Sequence, residues 1–193
     1  MKRDCYISVD IEADGAIPGV FSMLSLGAAV VGRHHLADDP TACFYIELQP
    51  ISARFDEAAM KVNQLDRGRL EREGAAPALA MARFEAWVRE AASDAKPVFV
   101  GFNATFDWMF VHWYFVHFLG RSPFGIAGLD IKAYAMGSLG LERWSDTTKR
   151  NLDRRFLATD VHTHHALDDA REQAEIFSRL RAFTQSQNPS RNR

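Results

Sequence analysis

The 193-residue sequence has two cysteines, no long uninterrupted apolar run and almost no net charge, and each scarcity removes a class of protein. Cys5 and Cys43 are far apart and match no metal-binding spacing such as Cys-x-x-Cys, so they read as reduced packing residues. The longest apolar stretch, Trp108 to Leu119, is broken by histidines and falls short of the about 20 residues that a membrane-spanning helix needs. The opening residues Met1-Lys2-Arg3-Asp4 lead into a strand-like run without the apolar core of a secretion signal, so a cytoplasmic protein is expected. A formal net charge of −2 gives no bulk basicity, and a polyanionic partner would have to be drawn by a local patch or by bound metal. Internal repeats and low-complexity segments are also missing.

What the chain does contain is an ordinary globular composition, 47% hydrophobic, enough for one domain with a sizeable core. We expect that domain to span residues 1–184 and the apolar-poor residues 185–193 to form a disordered tail. Strand patterns occupy Cys5 to Ile11, Ser22 to Val31 and Phe44 to Leu48, and their short connections predict an antiparallel meander. Helical spacing follows over Asp56 to Leu65 and over Pro77 to Ala92, where Leu79, Phe84, Trp87 and Val88 share a face; Glu71 to Ala76 reads as a polar joint. Pro97 to Phe102 is a fourth strand, apolar enough to be covered on both faces. A helix from Thr105 to Leu119 capped by Gly120, a fifth strand over Gly128 to Ile131 leading into a short helix, and a last helix over Ala166 to Phe183 complete the pattern.

Three stretches carry candidate chemistry. In the first strand, Asp10 and Glu12 project from the same face, because side chains alternate. Nothing basic lies in that run, so either the pair sits at a solvated edge or a cation bridges it. At the junction of the fourth strand and its helix, Asn103-Ala104-Thr105-Phe106-Asp107 places a carboxylate at the start of an otherwise apolar helix. Asp107 there is either satisfied by the free N–H groups of the first turn or committed to binding something. At the start of the last helix, His164-His165-Ala166-Leu167-Asp168-Asp169 offers histidines beside carboxylates that also suit a helix N-terminus.

Taken in order, these stretches resemble the three motifs of the DEDDh family of 3′-to-5′ exonucleases, which includes proofreading subunits, oligoribonuclease and ribonuclease T. Asp10-Ile11-Glu12-Ala13-Asp14-Gly15 is similar to Asp-x-Glu-x-x-Gly, Asn103 to Asp107 to Asn-x-x-Phe-Asp, and His164 to Asp169 to His-x-Ala-Leu-x-Asp. The likeness extends from Tyr6 to about Leu180. It selects His164 among the histidines at 162, 164 and 165, selects Asp169 over Asp168, and sets Asp14 aside. Two positions depart from the pattern: Phe102 stands where a histidine commonly precedes the asparagine, and Ala16 where a bulky apolar residue wedges against the terminal base. Ile17, Phe21 and Met23 are the alternatives for that wedge.

The resemblance implies an α/β, ribonuclease H-like fold: a mixed five-stranded sheet, three antiparallel strands then parallel ones, flanked by helices. It also implies hydrolysis of single-stranded nucleic acid from the 3′ end with release of nucleoside 5′-monophosphates. Asp10, Glu12, Asp107 and Asp169 would bind two divalent cations, Mg²⁺ or Mn²⁺, for which hard carboxylate oxygens are suited. His164 would be the general base, a role that fits the ordinary histidine pKa near 6.5. Gly15, Ile17, Asn103 and Phe106 would receive the terminal nucleotide. Lys149 and Arg150, within the locally basic Arg143 to Arg155, would contact phosphates upstream. RNA is slightly favoured over DNA by analogy with the small RNA-trimming members, which are often homodimers; the aromatic-rich Trp113 to Phe124 is the expected interface. Two other readings remain open on sequence alone: a non-catalytic module binding nucleic-acid ends or a protein, and a hydrolase of short or small phosphodiesters.

Overall fold

A computed structural model describes residues 3–36, 39–158 and 164–187. Alternation organises β1 (Asp4–Ala13): Ile7, Val9 and Ile11 are buried on one face, which turns Asp10 and Glu12 to the other. β1 pairs antiparallel with β2 (Met23–Val30), and β2 pairs antiparallel with β3 (Cys43–Glu47). On its other edge β1 pairs parallel with β4 (Lys96–Gly101), followed by the short parallel β5 (Gly128–Asp130). The order β3-β2-β1-β4-β5 is the expected mixed sheet with its meander, and β1 lies at its centre.

Helices cover both faces. On the face of Ile7, Val9 and Ile11 lie α3 (Pro77–Ala92) and α4 (Thr105–Leu119), packed through Phe84, Phe110, Tyr114 and Phe115. On the opposite face α5 (Ile131–Leu139) and α6 (Ala166–Gln187) pack through Ile131, Ile176 and Phe177 around Val100. α1 (Glu57–Asn63) and α2 (Arg67–Glu73) form the connection between β3 and α3.

Several elements differ from the sequence pattern. α2 begins before the expected polar joint and takes in its first residues; its single buried residue is Leu70, too little periodicity to announce a helix. Leu79 is 48% exposed, and the buried side of α3 runs through Ala80, Met81, Phe84, Trp87 and Val88 instead. α6 continues past Phe183 to Gln187, so the first residues of the expected tail are helical, while 188–193 lie outside the described residues. The unassigned segment after α5 holds two 3₁₀ turns, Trp144–Thr147 and Arg154–Phe156. Gly120 does cap α4, in the left-handed conformation with its N–H on the Val116 carbonyl.

One close approach fixes α6 on the sheet. Gly27 on β2 lies opposite Asp10 on β1, and a Cβ added at Gly27 would fall 2.2 Å from the backbone carbonyl carbon of Ala166. The first turn of α6 therefore rests directly on the strand beside the paired carboxylates, which only a glycine permits.

Candidate active site

The three sequence stretches meet at the C-terminal half of β1. Asp10 and Glu12 rise from the strand, whose register with β2 shifts just after Glu12. Asp107, buried in the first turn of α4, accepts the Ile11 N–H at 3.1 Å, so the helix N-terminus is tied to the strand between the two carboxylates. Asp169, also buried, comes from the first turn of α6. His164 precedes that helix, is exposed, and has φ = 53°, an uncommon conformation for a residue with a side chain. Glu12, His164 and Asp169 each bring a donor atom within 4.8 Å of the others.

Burial and mutual repulsion raise three of these acids. Burial, then the charges of Asp107, Asp169 and Glu12, hold the Asp10 carboxyl well above the usual carboxylate range, with Lys149 acting in the opposite direction. Burial with Asp169 and Asp107 pushes Glu12 up to about 8. Burial raises Asp107 to about 7 despite the backbone N–H groups that its carboxylate accepts. The cluster of hard oxygen donors, joined by one imidazole, fits divalent cations.

Other predicted residues fall around this point. Gly15 is buried, and a Cβ there would meet the Phe21 ring at 2.2 Å; of the three wedge alternatives, Met23 is core, Phe21 covers Gly15, and Ile17 is 47% exposed. Asn103 is exposed at φ = 64° in the β4–α4 turn, and Phe106 packs half-buried on Phe110 at 5.2 Å. Lys149 ion-pairs with Glu172 of α6 and lies over the Phe102 ring at 5.5 Å, while Arg150 is exposed. The surrounding basic stretch is less cationic than its composition: Arg143 pairs with Asp146 and Arg155 with Asp153. Trp108 and Trp113 are half-buried against the core. Tyr114, Phe115 and Phe124 are core residues and unavailable to the homodimer interface expected of Trp113 to Phe124. His162 lies outside the described residues.

Four residues that sequence reasoning passed over support the site. Gln173, buried on α6, donates from Nε2 to Asp10 Oδ1 at 2.6 Å and accepts the Phe102 N–H at 2.8 Å. Asp130 accepts the N–H of Ala104 and caps α5 through the Ala133 N–H. His165 stacks on Tyr45 of β3, with centroids 4.4 Å apart, anchoring the backbone beside His164. Asp14, fully buried, accepts the Ser22 N–H and pairs with Arg67 at 3.1 Å, closing the loop that carries Gly15 and Ile17.

Comparison with known proteins places the chain in a family. The exonuclease family model RNase_T matches residues 7–177. The chain is 42% identical over 176 residues, 91% of its own length and 90% of the relative's, to the 3′-5′ DNA exonuclease Cap18 of Escherichia coli. Its fold is similar to the nuclease domain of 3′hExo, a DEDDh family member bound to rAMP, with a TM-score of 0.70 at 15% identity over 94% of this chain and 93% of that one. It is also similar to exonuclease I, with a TM-score of 0.66 at 14% identity over 93% of this chain, which spans only 41% of exonuclease I. Among the described residues no helix is long and apolar enough to cross a membrane. With a matching family model, a relative similar along nearly its whole length, and the fold of a DEDDh member, the chain belongs to the RNase_T exonuclease family and is a 3′-5′ exonuclease.

Proposed function

We propose that this exonuclease removes nucleotides from the 3′ end of single-stranded DNA, releasing nucleoside 5′-monophosphates with the help of two divalent cations. The observation that carries the reading is the convergence of four acids and one histidine on one point, where burial and mutual repulsion raise Asp10, Glu12 and Asp107. Asp10, Glu12, Asp107 and Asp169 would hold Mg²⁺ or Mn²⁺, which supply neutralisation of charge at phosphorus and acidify the attacking water. His164, exposed beside Glu12 and Asp169, takes the proton of that water on a ring nitrogen. Ile17 and Phe106 present apolar surface to the terminal base and sugar, and the turns at Gly15 and Asn103 let the strand approach. Lys149 and the exposed Arg150 attract the upstream phosphates.

DNA replaces the RNA expected from size alone because the relative that is 42% identical carries the name of a DNA exonuclease. The test uses 5′-labelled DNA and RNA oligomers of one sequence with Mg²⁺ or Mn²⁺, an EDTA control and an Asp10→Ala variant. A ladder shortening from the 3′ end, faster on DNA and lost in both controls, is the expected result. An active Asp10→Ala enzyme would overturn the assignment of that carboxylate, and faster shortening of RNA would overturn the substrate preference.

A further inference from the structure

Gln173 is 3% exposed in the interior of α6, and both ends of its amide are used. Nε2 donates to Asp10 Oδ1 at 2.6 Å and Oε1 accepts the Phe102 N–H at 2.8 Å. It lies one turn beyond Asp169, on the same side of the helix, so a single face of α6 delivers both groups to β1. The other end reaches the turn after β4, where Asn103 is held at φ = 64° and where α4 begins with Asp107. One neutral side chain thus spans the strand, the last helix and the turn that together supply the cluster.

We propose that Gln173 is a positioning residue for divalent-cation binding: it engages one oxygen of Asp10, sets the rotation of that carboxylate, and leaves the second oxygen to the cation. The proposal rests on the reading of Asp10 as a metal ligand. A neutral amide suits this task, since it donates to a carboxylate without contributing a charge that would compete with the cation. Lysine or arginine at the same place would compensate the acids from within the protein. Hydrogen-bonding partners behind metal ligands commonly alter affinity or activity by about 10- to 100-fold.

The test measures Mn²⁺ binding by calorimetry in the absence of nucleic acid, for the unmodified protein and for Gln173→Met, which keeps the length and loses both hydrogen bonds. Binding about 10- to 100-fold weaker is expected, with KM for a DNA oligomer at saturating metal changed by less than about twofold. A second measurement needs no variant: the side-chain amide signals of Gln173, assigned by their proximity to the Phe102 N–H, are expected to shift when Mg²⁺ is added. Unchanged Mn²⁺ affinity in folded Gln173→Met, even with a lowered melting temperature, would reduce Gln173 to a structural role and overturn the proposal. So would Gln173 amide signals unmoved by saturating Mg²⁺. An unmodified protein that binds neither ion would instead overturn the metal-site reading itself.

Discussion

Two groups of buried acids in this molecule are treated in opposite ways. On the α3–α4 side of the sheet, Glu85 of α3 is 5% exposed and receives Arg89 at 2.7 Å and Arg121 on both carboxylate oxygens at 2.9 Å. The guanidiniums hold it down at about 2. Asp14 is likewise buried and paired with Arg67. At the cluster, Asp10, Glu12 and Asp107 are raised by burial and by neighbouring acids, and Lys149, which acts on Asp10, is shared with Glu172. The chain has arginines and uses them on buried acids elsewhere. Among the described residues no arginine is paired with Asp10, Glu12 or Asp107, and these acids hold protons that a cation can displace, which separates a site for binding from an ion pair for folding.

The contrast breaks most visibly if a cluster acid turns out to hold the fold together. Asp107→Asn keeps an oxygen for the Ile11 N–H but removes a charge, so exonuclease activity should fall by roughly a hundred- to thousandfold. The melting temperature without metal should rise. A fall in that temperature, seen by calorimetry, would place Asp107 with Glu85 instead.

A smaller effect is expected from pH. Glu12 at about 8 and Asp107 at about 7 lie above their ordinary values of 4.5 and 3.8, so the folded chain binds protons that the unfolded chain has released. Their contribution is fully present below about pH 4 and is lost as pH rises through 7 to 8. Glu85 has the opposite sign: its contribution is present above the ordinary value and is lost as pH falls toward about 2. Melting curves in EDTA should therefore show lower stability at pH 8.5 than at pH 5.5, and saturating Mg²⁺ should narrow the gap. An equal pH dependence with and without metal would dissolve the distinction. The smallest change is expected for Glu85→Gln. Arg89 and Arg121 are largely solvent-exposed, which limits the loss to about 1–2 kcal/mol. That corresponds to a melting temperature lower by roughly 2–8 °C, with activity unchanged.

Much of the fold was legible because β1, β4 and α4 carry strong apolar patterns, and the site because three short motifs name their own residues. Asp10 and Glu12 share a face by the period of a strand alone. Gln173 was not legible: a polar residue inside a helix ordinarily marks the solvated side, and only packing shows that this one is buried against Asp10. Charge composition misled in a similar way between Arg143 and Arg155, because the partner of Lys149 is Glu172, on a helix that meets it only in three dimensions. Asp14 looked idle because its cation, Arg67, sits on a helix with a single buried residue. Long-range pairing leaves no periodicity, and these residues depend on it.

The seat that Gly27 offers to the first turn of α6 also makes the cluster depend on the last described helix. Asp10, Glu12 and Asp107 belong to elements made early or midway, but His164, Asp169 and Gln173 arrive with the last described helix. At roughly 5–20 residues per second, synthesis leaves an interval of several seconds in which those three acids exist without Asp169, His164 or Gln173. A chain still being made therefore holds an incomplete cluster until α6 closes onto the sheet.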